Sequence, residues 1–230
     1  MREVKRPFFM FNPKSYCYGD QLVDLAVYAD KVGQELGIDV LVTCPYADIS
    51  RVAAAVDKAI VCAQGMDGIT PGRGMGAVLP ESLKAAGCEG VVLNHAERPM
   101  TTNGLVKARY RAKELDMLTI ICADTAEESR MIATLEPECM ICEPTALIGT
   151  GTTADASYIE ATVSAVKAVS PKTSVLIGSG ISTGEDVYKA IKAGGDASGA
   201  TSGITAAPDP KKVIRDMIEA CARAKAEGCV

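Results

Sequence analysis

The chain has 230 residues, with 24 basic and 29 acidic side chains, a net charge of −5, and neither sign gathered into a long block. That excludes the basic footprint of a nucleic-acid binder, and no apolar run is long enough for a signal sequence or a membrane span, so neither is expected. Hydrophobic residues make up 48% and aromatics 4%, with no tryptophan; the core must be aliphatic, as buried parallel sheets covered by helices require.

In chain order, short apolar runs predict strands at Phe8–Asn12, Val40–Thr43, Ala59–Gln64, Gly90–Asn94, Leu118–Cys122, Cys139–Cys142, Ser174–Ile177 and Ala197–Thr201. Between them lie longer stretches with helical periodicity. Ser182-Thr-Gly-Glu185 reads as a capping box ahead of Val187 and Ile191. Asp209 reads as the N-cap of a last helix with Pro210 in its first turn, and Val213, Ile214, Met217, Ile218 and Cys221 share one face. Strands alternating with helices imply a parallel sheet, and no composition shift divides the chain, so one domain over residues 1–230 is expected. The sheet closes either as an open doubly wound layer or as an eight-stranded barrel, and the spacing leans to the barrel.

Nine cysteines are scattered along the chain, an odd number that suits a reducing cytoplasm. Cys139 and Cys142 match a C-x-x-C spacing. On a strand, residues three apart face opposite ways, so the pair is expected to diverge and to bind no metal.

If the sheet is a barrel, functional groups should follow the strands. Asn12-Pro-Lys14 follows the first, and Asn94-His95-Ala-Glu97-Arg98 the fourth. Glu143-Pro144 runs on to Ile148-Gly149-Thr150-Gly151 after the sixth, Gly178-Ser-Gly180 comes after the seventh, and Thr201-Ser202-Gly203 after the eighth. A lysine, the only histidine, a carboxylate and three small-residue loops make an inventory for proton transfer on an anionic substrate. A lone histidine is more often structural, but His95 stands at a strand terminus with a carboxylate two positions on. Lys14 taken alone reads as a solvated lysine. Glu143, between an apolar strand and a proline, is less easily an ordinary surface carboxylate. Gly178-x-Gly180-x-x-x-Gly184 misses the dinucleotide fingerprint by one residue; small residues after the last two strands instead suit phosphate bound by backbone N–H groups.

These motifs, in this order and with Gln64 and Asp209-Pro210 between and after them, resemble the triosephosphate isomerase family in its shorter, archaeal-type branch, from Phe8 to about Ile218. The resemblance implies a single (β/α)₈ TIM barrel and an aldose–ketose isomerase that interconverts dihydroxyacetone phosphate and glyceraldehyde 3-phosphate through an enediolate, with no metal and no cofactor. It assigns Glu143 as the base and neutral His95 as the group that polarises the carbonyl and moves protons between the oxygens. Lys14 supplies positive charge, Asn12 helps orient the substrate, and Glu97 supports the lysine or the proton network. Ile148, Gly149, Gly180, Thr201 and Ser202 line a phosphate site, and Pro144 to about Ala154 form a lid. The family's assembly implies a homo-oligomer, dimer or tetramer. Met75 stands where the family usually has threonine, and could serve as an apolar plug in that interface. Small residues in the eighth strand, Ser198-Gly199-Ala200, could widen the pocket. They keep open a relative acting on a longer ketose phosphate such as a tetrulose phosphate; a non-catalytic phosphate-binding protein on the same scaffold is the third reading.

Overall fold

The computed structural model of the protein describes residues 2–230. Eight strands, β1 (Phe8–Phe11), β2 (Asp39–Cys44), β3 (Ile60–Ala63), β4 (Gly90–Leu93), β5 (Leu118–Ala123), β6 (Cys139–Cys142), β7 (Ser174–Ile177) and β8 (Ala197–Ala200), form one closed parallel barrel in sequence order. The helices are α1 (Gly19–Leu36), α2 (Ile49–Ala55), α3 (Pro80–Ala85), α4 (Thr102–Glu114), α5 (Ala126–Ala133), α6 (Ala156–Lys167), α7 (Gly184–Lys192), the single turn α8 (Ser202–Thr205) and α9 (Pro210–Ala226). Phe8–Phe11 pairs residue for residue with Ala197–Ala200, which shuts the ring. The architecture is a single (β/α)₈ TIM barrel, with all eight strands where the sequence places them to within about two residues. No helix among the described residues is long and apolar enough to cross a membrane.

Strand residues alternate between two cores, as the pleat dictates. Phe8, Met10, Leu41, Ile60, Cys62, Ile120, Ile141 and Leu176 fill the barrel interior. Phe9, Phe11, Val42, Val61, Ile121, Met140 and Ile177 face the helices, where Leu22, Val52, Ile132, Ile214 and Met217 meet them. Full burial of such an aliphatic side chain contributes about 1.5–3 kcal/mol. Cys139 belongs to the interior cluster and Cys142 to the outer one, so the two thiols do diverge. Burial pushes both up, Cys142 to about 11.

The smallness of β8 has a packing cause at one position. A Cβ on Gly199 would lie 2.5 Å from the Met10 carbonyl oxygen, so β1 and β8 approach this closely only because residue 199 has no side chain.

Asp209 caps α9 by accepting from the Lys212 N–H (3.1 Å), with Pro210 in the first turn. Ile214, Met217, Ile218 and Cys221 are buried, while Val213 sits at the edge of that face. The capping box of α7 is one residue later than expected. Thr183 is the N-cap: its hydroxyl oxygen accepts from Asp186 N–H (3.2 Å), and Asp186 Oδ2 accepts from Thr183 N–H (2.8 Å). Ser182 cannot cap because its hydroxyl turns back to the Gly180 carbonyl (3.3 Å). Glu185 instead reaches Arg223 on α9.

Candidate active site

The ends of β1, β4, β6, β7 and β8 open on one pocket of about 210 Å³. Asn12, Lys14, His95, Glu97, Glu143, Ile148, Gly149, Gly180, Thr201 and Ser202 all border it, so the residues singled out in sequence meet although they lie up to 190 positions apart. Met10, Ile141, Leu176 and Gly199 form its floor. Tyr16 and Ser179 also border it; Tyr16 lies outside every sequence motif, whereas Ser179 is the middle residue of Gly178-Ser-Gly180.

Lys14 is held in a left-handed backbone conformation, φ 48°, which a non-glycine residue adopts only when its surroundings enforce it. Three contacts do so. Lys14 N–H donates to Asn12 Oδ1 (3.0 Å), Gln64 Nε2 donates to the Lys14 carbonyl (2.8 Å), and Thr43 Oγ1 donates to the same Asn12 Oδ1 (2.7 Å). Asn12 therefore shapes the lysine's backbone, a role its position after a strand does not reveal. At the other end of the side chain, Lys14 Nζ lies 2.6 Å from Glu97 Oε1. Burial works against the Glu97 carboxylate, but the lysine's hydrogen bond and charge outweigh it and hold its pKa below the usual value.

His95 follows Asn94, itself left-handed at φ 57°. Asn94 Nδ2 donates to the Cys122 carbonyl (3.1 Å) and its Oδ1 accepts from Met100 N–H (3.0 Å), which pins the turn. The Glu97 N–H donates to His95 Nδ1 (3.1 Å). Nδ1 is thus an acceptor, and in the neutral ring the proton sits on Nε2, facing the pocket. Burial, and then the Lys14 charge, push the His95 pKa below 6.5, against the pull of Glu97. The imidazole is neutral at neutral pH. Arg98 N–H closes the same turn on the His95 carbonyl (2.7 Å), and its guanidinium bonds to the Tyr46 hydroxyl.

Glu143 Oε1 stands 3.5 Å from His95 Nε2. Its backbone N–H donates to the Ala123 carbonyl (3.0 Å), which continues the β5–β6 ladder. A Cβ on Gly178 would lie 3.1 Å from Glu143 Oε2, so a glycine there leaves the carboxylate its place. Burial raises the Glu143 pKa above 4.5; Lys14 opposes this, and Glu97 and Asp124 add to it.

Segment 144–154 leaves β6 beside this carboxylate and returns into α6, with Gly149 and Gly151 both at positive φ. Its far end lies against the loop after β7: a Cβ on Gly180 would sit 1.9 Å from the Thr152 carbonyl oxygen. The N–H groups of Gly149, Gly180 and Ser202 make no hydrogen bond within the described residues and belong to residues bordering one end of the pocket. Among the described residues no group of three or more His, Cys, Asp or Glu side chains is arranged to hold a metal ion.

Residues 7–220 match the model of the triosephosphate isomerase family. The chain belongs to the triosephosphate isomerase family. It is 38% identical to the triosephosphate isomerase of Methanopyrus kandleri, over 94% of this chain and 98% of that one. It is 36% identical to that of Metallosphaera sedula, over 97% and 100% of the two chains, and 34% identical to that of Sulfolobus acidocaldarius, over 94% and 95%. As a member of the triosephosphate isomerase family, the protein carries Met75 on the long segment 64–79 after β3. That segment holds no helix or strand, and Met75 is fully exposed on it.

Proposed function

We propose that the protein is an aldose–ketose isomerase that interconverts dihydroxyacetone phosphate and glyceraldehyde 3-phosphate. The observation that carries this reading is the pairing of a buried carboxylate, Glu143, with the Nε2–H of a neutral His95, 3.5 Å apart at the mouth of the barrel. A proton α to a carbonyl is weakly acidic, so a base removes it at a useful rate only where donors meet the charge that develops on oxygen.

Glu143 takes the proton from C1 of dihydroxyacetone phosphate. The C1–H electron pair becomes the C1–C2 double bond, and the carbonyl electrons move onto the C2 oxygen. Nε2–H of His95 donates to that oxygen and recovers a proton from the C1 hydroxyl, so the charge passes from one oxygen to the other. Glu143 then returns its proton to C2, which completes glyceraldehyde 3-phosphate with no net gain or loss of protons. The raised pKa of Glu143 makes it a stronger base than a solvated glutamate. Lys14, held by Glu97 and by its own constrained backbone, sets a positive charge beside the developing oxyanion. The N–H groups of Gly149, Gly180 and Ser202, with Ile148 and Thr201 beside them, receive the phosphate. Segment 144–154 acts as a lid that excludes water and retains the enediolate, whose electrons otherwise expel phosphate.

Isomerisation of glyceraldehyde 3-phosphate by the purified protein, with Glu143→Gln in parallel, tests the reading. Loss of a general base lowers kcat by about 10²–10⁴-fold; wild-type turnover matched by the variant would remove Glu143 from its role, and a wild type that turns over neither triose phosphate would remove the reading. We further infer a homo-oligomer, dimer or tetramer, in which the exposed Met75 segment is covered; the nine unpaired thiols, eight of them buried, suit a reducing compartment.

A further inference from the structure

The loop after β5 carries no group of the reaction, yet it holds both ends of the segment that covers the pocket. At the entry, Thr145 N–H donates to Asp124 Oδ1 (2.9 Å). At the exit the chain turns into α6, and there the Tyr158 hydroxyl donates to the carbonyl of the same Asp124 (2.6 Å). Asp124 is itself fixed: its N–H donates to Glu128 Oε2 (2.8 Å). The other oxygen of Glu128 accepts from Asn94 Nδ2 (3.3 Å), one residue before His95. Ala123, the last residue of β5, receives the backbone N–H of Glu143 (3.0 Å). Base, electrophile and lid are thus tied to one short stretch, Cys122–Glu128.

We propose that Asp124 and Tyr158 are positioning residues that pin the two ends of the lid, and that Glu128 registers this pin against the His95 turn. The assignment rests on the isomerase reading above. Neither Asp124, Glu128 nor Tyr158 borders the substrate pocket; Asp124 and Glu128 border a separate pocket of about 270 Å³ behind Glu143 and Thr145. They act through the lid rather than on the substrate. With both ends fixed, the conformational freedom of the segment is confined to its middle, where Gly149 and Gly151 stand at positive φ. A segment pinned at both ends has fewer arrangements to lose on closing, and a base at its root keeps its height over the substrate carbon.

A loosened pin has a chemical signature. When the lid fails to hold the enediolate, its electron pair forms the C1 carbonyl, the double bond moves to C2–C3, and the C3–oxygen bond to phosphate breaks. The products are inorganic phosphate and the enol of a ketoaldehyde. The fraction of turnovers ending in phosphate release therefore reports on the lid, which a residue serving stability alone would not move.

The test compares wild type, Tyr158→Phe, Asp124→Ala and Asp124→Asn for kcat, KM and phosphate release with glyceraldehyde 3-phosphate. Tyr158→Phe and Asp124→Ala are each expected to lower kcat by about tenfold, the scale of one lost hydrogen bond, with a smaller change in KM and a raised share of phosphate release. Asp124→Asn keeps an Oδ1 acceptor for Thr145 and is expected to restore most of the loss. A folded Tyr158→Phe protein with wild-type kcat and wild-type phosphate release would overturn the proposal, and it decides the matter should Asp124→Ala fail to fold. A wild type that isomerises while Tyr158→Phe is indifferent sinks the pin alone; a wild type without isomerase activity sinks the isomerase reading and the pin with it.

Discussion

As the proposed base, Glu143 must be ionised, in surroundings that disfavour ionisation. Its burial raises the pKa, Glu97 and Asp124 raise it further, and only Lys14 pulls it down. On that assignment the free enzyme works with Glu143 deprotonated, so kcat/KM is expected to fall as pH drops through the raised value, with a midpoint above the ordinary 4.5. Asp124→Asn removes one of the raising charges and should move that midpoint down. A pH series of kcat/KM for both proteins checks the sign; an unmoved or upward midpoint in the variant would show that the Asp124 charge is not felt at Glu143. The direction for His95 is opposite, because burial disfavours its cationic form and keeps it neutral. Much of this was legible in the sequence, which places a histidine and a glutamate after apolar strands. The tautomer was not, since it depends on a backbone N–H, that of Glu97, turning onto Nδ1. Nor was the work of Asn12, whose side chain serves the lysine two residues on and the threonine of the next strand.

At the scale of elements, the strands were readable because each is a short apolar run between loops, and β6 and β7 fall on the residues expected of them. The α7 cap was misplaced by one residue because Ser-Thr-Gly-Glu and the overlapping Thr-Gly-Glu-Asp both satisfy the pattern. A short aspartate that reaches two consecutive N–H groups decides between them. The β5 loop is not legible in the sequence for a different reason. Asp124, Glu128 and Tyr158 look like ordinary polar residues of a turn and two helices until the fold sets them beside the lid. In β8 the glycine at 199 can be read as room for a larger substrate, but its contact with the Met10 carbonyl answers to strand closure. Gly199→Ala is therefore expected to cost stability by about 1–3 kcal/mol through overpacking against backbone. Chemical denaturation measures this directly. An alanine variant of undiminished stability would show that β1 and β8 can part enough to admit a methyl group, and would return the glycine to the pocket.

For the molecule as a whole, the exposed tip around Met75 is an apolar group on a long segment tethered at its base, where the Asp67 N–H donates to the Val78 carbonyl (3.0 Å) and the Asp67 carboxylate accepts from the Val78 N–H (2.7 Å). Such a projection is expected to be buried against another copy. Sedimentation should give a dimer or tetramer at micromolar concentration, and Met75→Glu should shift it toward smaller species; a wild type that stays monomeric would leave the segment without that use. The closed ring has its own consequence for how the chain is made. β1 finds one neighbour, β2, early in synthesis, but its other neighbour, β8, lies almost at the far end of the sequence. Until Ala197–Ala200 leaves the ribosome, β1 and β7 each present a row of bare N–H and C=O groups, the kind of edge that recruits foreign strands. Among the described residues the finished barrel has no such edge, so the chain's greatest exposure to aggregation falls in the interval between making the seventh strand and seating the eighth.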